Sequence, residues 1–103
     1  MSIHYFVDVP EIRDHPVGGN VPINGNIILM CEASSVGVLV YSWERSSGSS
    51  WTTVSNDNTT SYTTDTTLAI GQYMYRCRVS NEAGPVVSNN AIVNVYGEYC
   101  PNM

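Results

Sequence analysis

A chain of 103 residues has room for one packed domain, and not for two that fold independently. Hydrophobic residues make up 43% of it, and no stretch approaches the roughly 18 to 20 consecutive apolar residues of a membrane-spanning helix, which excludes both a disordered tail and a bilayer segment. The formal charge is -5 and the only basic residues are Arg13, Arg45, Arg76 and Arg78, so the dense cationic face that nucleic acids and anionic membranes require is missing.

No segment shows helical spacing. Short runs rich in Val, Ile, Thr and Tyr recur between Gly, Pro, Asn and Ser clusters, which predicts an all-β sandwich or barrel. "HYFVDVPEI" reads as an edge strand, because Pro10 cannot donate to a ladder. "DHPVGGNVPING" follows as a loop-rich approach with room for one short strand. "NIILMCEA", residues 26–33, is a stronger strand that turns Ile27, Leu29 and Cys31 inward. "VLVYSWER", residues 38–45, does the same with Leu39, Tyr41 and Trp43.

After the "SSGSS" turn, residues 46–67 are dominated by Ser and Thr, but "WTTVS" and "TSYTTDTT" keep the β-branched and aromatic content of two modest strands separated by the turn "NDN". "YMYRCRVSN", residues 73–81, has the clearest alternation, with Tyr73, Tyr75, Cys77 and Val79 inward. "SNEAG" supplies a hairpin with Gly84 free to take a positive φ. "VVSNNAIVNVY" closes the domain with Ala91, Val93 and Val95 inward.

Several residue types invite a chemical reading. Cys77 suggests a reactive thiol, a metal ligand or half of a bridge. Arg76 and Arg78 flank it, but alternation points them to the opposite face from the sulfur, where they cannot activate it. His4 and His15 with Asp8 and Asp14 lack any zinc or calcium spacing and read as solvated residues. No G-x-S-x-G elbow is present and no histidine lies near a candidate serine nucleophile, so no enzymatic role and no cofactor is expected. "NTT" makes Asn58 a glycosylation sequon in a turn. Trp51 is either a plug over the core, the reading favoured here, or an exposed anchor for a partner.

The outward face of the later strands carries Val40, Ser42, Glu44, Met74, Arg76, Arg78, Ile92, Asn94 and Tyr96. Arg, Tyr and Met beside apolar residues compose a protein-binding patch as readily as a solvated sheet, and Glu44, Met74, Arg76, Arg78 and Tyr96 are its candidate contacts.

Three features coincide: Cys31 on an inner face, Trp43 twelve residues later on the next strand, and Cys77 with Tyr75 two residues before it. Over residues 5–96 this pattern of Cys, Trp and Tyr-x-Cys resembles an immunoglobulin-superfamily domain. The spacing between Trp43 and Tyr62 and the tail "VSNEAGPVVSNNAIVNV" are similar to I-set and C2-set modules of cell-surface receptors and adhesion proteins. Leu68 holds the apolar position before the corner, whereas Gly71 and Tyr73 depart from the residues many members carry there.

The resemblance implies a two-sheet antiparallel β-sandwich over residues 1–97, with 98–103 the start of a linker or next module. It implies an inter-sheet disulfide between Cys31 and Cys77, which would stabilise the fold by about 4 kcal/mol, and a core of Trp43, Tyr75 and Leu68. Tyr75 would make the corner bond to backbone in "LAIGQY", and Cys100 would be left without a partner in this chain.

Such a bridge needs an oxidising compartment, yet Met1–Tyr5 lacks the basic start and apolar run of a signal peptide; a fragment excised from a longer ectodomain reconciles the two. The implied function is extracellular recognition by noncovalent, including homophilic, protein binding. A receptor tyrosine kinase parent would carry its kinase elsewhere. The alternatives are a glycan- or host-binding repeat of a bacterial surface protein and a spacer without a ligand of its own.

Overall fold

The computed structural model describes residues 8–97, so the expectations for His4, for residues 98–103 and for Cys100 lie outside the described residues. These residues form ten strands and no helix: β1 Glu11–Asp14, β2 Gly19–Pro22, β3 Ile28–Met30, β4 Glu32–Ser34, β5 Val40–Ser46, β6 Thr52–Ser55, β7 Ser61–Thr63, β8 Gly71–Asn81, β9 Gly84–Val87 and β10 Ala91–Tyr96. The larger sheet runs β2-β10-β8-β5-β6, with β9 also paired to β8. Its ladders are antiparallel except that of β2, which lies parallel to β10. The smaller layer pairs β1 with β4 and β3 with β7, both antiparallel.

The run read as one strand over 26–33 is two short ones, broken at Cys31. Each half has a different neighbour: β4 takes β1 and β3 takes β7. Of the edge strand expected at 4–12, residues 4–7 lie outside the described residues; among those described, the strand runs Glu11–Asp14, after Pro10. The chain then passes from the smaller layer to the larger, so that residues 19–22 become the edge strand beside β10. Gly18 is required at that passage, because a Cβ there would overlap the Ile92 carbonyl of β10.

Alternation decides the core. Leu29 and Cys31 from the smaller layer meet Trp43, Tyr75, Cys77, Val79 and Val93 from the larger, all without exposed surface. Burying a large apolar side chain contributes roughly 1.5–3 kcal/mol, so this seam supplies most of the drive to fold. The Trp43 ring stacks on Tyr62 at 6.0 Å between centroids, and Tyr62 tilts against Tyr75 at 5.8 Å. The indole N–H donates to the Thr59 carbonyl at 3.0 Å, which satisfies the one polar atom of that buried ring. Leu68 is half-buried against this cluster.

The corner bond is not made by Tyr75. Its ring is held between the layers against Tyr62, and its buried hydroxyl has no hydrogen-bond partner among the described residues. Burial pushes this phenol above its ordinary value, and the nearby Arg45 guanidinium offsets part of the rise. Tyr73, two residues closer to the start of β8, donates instead to the Ala69 carbonyl at 2.8 Å. Tyr73→Phe should therefore lose about 1 kcal/mol in a denaturation titration, whereas Tyr75→Phe should be neutral or slightly stabilising because it removes an unsatisfied hydroxyl. The reverse ordering of the two midpoints would restore Tyr75 to the corner.

Candidate recognition surface

The strand β8 lies at the middle of the larger sheet, with β5 and β10 as neighbours and β9 continuing beside its far end. Such a strand is a stiff mount for side chains that point away from the core. In register across β5, β8 and β9, Ser42 stands beside Arg78 and Arg78 beside Val87; the next row is Val40, Ser80 and Pro85. Farther along β8, Glu44 stands beside Arg76 and Ile92 beside Met74.

Arg76 and Glu44 are not free contacts. The Arg76 Nε donates to Glu44 Oε1 at 2.7 Å, with the two side chains 25% and 16% exposed. Its guanidinium also lies 4.1 Å from the centroid of the Trp51 ring. Trp51 is thus neither a plug over the core nor an isolated anchor. The register of β5 and β6 shifts between Trp43 and Glu44, which sets Thr53 opposite Glu44 and leaves Trp51, two residues earlier, on the outward face. Ion pairing and cation–π contact together stabilise this stack by about 1–2 kcal/mol.

Arg78 is different. It is exposed and makes no ion pair or side-chain hydrogen bond among the described residues, and the neighbouring strands present Val40 at 50% and Val87 at 46% exposure. Tyr96 and Ile92 are exposed at the other end of the sheet, while Met74 is half-buried with the Asn90 amide 3.8 Å from its sulfur. The five candidate contacts therefore fall into three groups: a free arginine among apolar neighbours, a locked Arg76–Glu44 pair, and an apolar end with Met74 and Tyr96.

Cys31 and Cys77 face each other between the layers and are both fully buried, 3.8 Å apart. They stand as separate thiols, so the bridge implied by the resemblance is not formed in this structure. A hydrogen bond to Cys31 and burial push the Cys77 thiol well above its ordinary range, which opposes any nucleophilic role. The backbone around Cys77 is tied to Ser88, whose hydroxyl accepts from the Cys77 N–H at 2.9 Å and whose own N–H donates to the Cys77 carbonyl at 2.8 Å.

Asn58 has a role that its turn position alone did not reveal. It sits at φ 58°, a conformation asparagine tolerates, and its Oδ1 accepts from the Tyr41 N–H at 2.8 Å. The β5–β6 ladder ends at the pair Trp43 and Ser55, so this side chain takes up a strand donor that β6 no longer reaches. No group of three or more His, Cys, Asp or Glu able to hold a metal occurs among the described residues, and the His15 Nδ1 accepts from the Asn89 N–H at 3.0 Å. No helix of the described residues is long and apolar enough to cross a membrane.

No protein-family model and no curated protein matches the chain. Solved structures do. The tandem Ig repeats of Dlar superpose with a TM-score of 0.71 at 17% identity, covering 87% of this chain and 47% of that one, so the chain spans about half the length of that structure. A chimeric titin Z1Z2 gives a TM-score of 0.67 at 16% identity over 91% of this chain and 100% of that one. The Sidekick-1 immunoglobulin domains 1–5 give 0.61 at 16% identity over 90% of this chain and 21% of that one. With two β-layers, a parallel pairing of an early strand with the last, and tryptophan and cysteines in the seam between them, the chain has the immunoglobulin-like β-sandwich fold.

Proposed function

We propose that this domain is an extracellular recognition module of a cell-surface receptor or adhesion protein, binding a protein partner noncovalently through the outward face of β5, β8 and β9. The observation that carries the reading is Arg78: a guanidinium on a central strand with no ion pair among the described residues, beside the exposed Val87 and one row from the exposed Val40. Arginine among apolar neighbours on a rigid mount is the composition of a binding hot spot. Met74 and Tyr96 extend the face, and the Arg76–Glu44 pair stiffens its middle without offering a free charge. The folds that match occur in multi-domain chains such as tandem Ig repeats, which supports a modular setting.

Arg78→Glu should weaken binding to animal cells, or self-association in sedimentation, at least tenfold, which corresponds to about 1.4 kcal/mol. Binding unchanged by this substitution would remove the face from the mechanism. Recognition of a glycan array with no protein partner recovered would favour the bacterial-repeat alternative, and the absence of any ligand the spacer.

In an oxidising compartment the adjacent Cys31 and Cys77 are expected to bond to each other, since their side chains already meet across the layers. Mass measurement of the secreted domain alkylated in denaturant should show these two thiols protected until reductant is added. Alkylation of both in the denatured but unreduced protein would contradict an extracellular setting.

Asn58 is the expected glycan site: its amide oxygen is committed to Tyr41, while its amide nitrogen makes no hydrogen bond among the described residues. Expression in a secreting eukaryotic host should add a glycan mass that Thr60→Ala abolishes, because that change destroys the sequon and keeps the Asn58 bond. A mass difference of only the Thr-to-Ala side-chain change would show the site to be unused.

A further inference from the structure

Where the chain leaves the smaller layer for the larger, it opens a notch. β1 pairs with β4 only as far as Asp14 opposite Glu32, while β3 continues along the layer with β7 on its other side. Bonds toward the β7 side come from odd positions: the Cys31 N–H donates to the Thr60 carbonyl, and the Ile27 carbonyl accepts from the Thr64 N–H. Strand alternation therefore directs the N–H and C=O groups of Ile28 and Met30 to the side that β1 has left. Among the described residues neither makes a backbone bond there.

A hollow of 460 Å³ lies in this notch, bounded by Asp14, Val17, Ile28, Met30 and Glu32, with His15 also on its wall and the His15 Nδ1 taken up by the Asn89 N–H. Its apolar members are left wet, with Val17 78%, Ile28 60% and Met30 61% exposed. Its carboxylates stand directly opposite each other across the β1–β4 ladder, an arrangement that like charges make unfavourable. No arginine relieves them: Arg13 is paired with Glu11, Arg76 with Glu44, Arg45 lies over Tyr73, and Arg78 is on the other sheet.

We propose that this notch docks an extended, basic segment of a partner protein as an added strand on β3, with a cationic side chain facing Asp14 and Glu32 and an apolar one in the hollow. Free strand-edge groups supply backbone pairing, and the paired carboxylates supply charge complementarity. A second copy of this chain does not fit, because three of its four arginines lie on β5 and β8 inside the larger sheet, and the fourth sits in the acidic segment Glu11–Asp14. The notch is in the opposite layer from Arg78, so this proposal and the recognition face stand or fall separately.

The test is a titration of the isotope-labelled domain with an acetylated, amidated heptapeptide of alternating lysine and valine, followed by amide chemical shifts. Saturable shifts centred on Ile28 and Met30 are expected. The double substitution Asp14→Asn with Glu32→Gln should weaken the binding about tenfold, as should raising the salt from about 50 to about 500 mM. Both side chains are exposed and the replacements match them in size, so the variant folds. Asp57→Asn with Glu82→Gln removes the same charge outside the notch and should leave binding intact. Shifts centred elsewhere, equal binding of a glutamate–valine peptide, or equal weakening by the two double variants would overturn the proposal.

Discussion

The packing of Trp43 against its neighbours is the constraint on which the rest of the molecule depends. The indole lies beside Cys77 in the β5–β8 ladder and stacks across the gap on Tyr62 of β7. Its N–H reaches the Thr59 carbonyl, which anchors the segment that carries the chain from β6 back to β7. Truncating a buried aromatic of this kind typically costs 3–5 kcal/mol, a large part of the 5–15 kcal/mol that holds a small domain together. The seam thus fixes the distance between the layers, and with it which residues of β8 can look outward.

Much of this was legible in the chain, because a period of two is a direct readout of sheet faces. Leu29, Cys31, Tyr41, Trp43, Tyr75, Cys77, Val79, Ala91, Val93 and Val95 could all be assigned inward from alternation alone, and all are buried. Alternation gives a face and nothing more. Tyr73 and Tyr75 share one, and only the reach to the Ala69 carbonyl separates the corner bond from the core ring. Alternation leaves both sides open to Trp51, and its outward place beside Arg76 follows from the register shift at Glu44, which has no sequence signal. The break at Cys31 was hidden for a related reason, since it follows from a change of neighbour and not from any change in residue type.

Charge is distributed with economy over the two layers. Of four arginines, two are neutralised locally, one lies over a tyrosine ring, and Arg78 alone is left free among the described residues. The acidic excess is therefore not evenly screened. On the larger sheet it is interrupted by Arg78 and by Arg45, whose charge the Tyr73 ring does not neutralise, while the smaller layer keeps Asp14 and Glu32 side by side. The two faces of the domain thus present opposite local signs on a common scaffold.

The parallel ladder between β2 and β10 also sets the order in which the molecule can come into being. Asn94 donates to Asn20 at 3.1 Å across a separation of 74 residues, and the edge of the larger sheet is closed only by that late strand. Closing so long a loop carries its entropic cost before any of the pairing enthalpy returns, which places the domain among slow-folding topologies. During synthesis the domain stays incomplete until β10 has emerged. Until then β2 and β8 both wait for the neighbour that β10 provides.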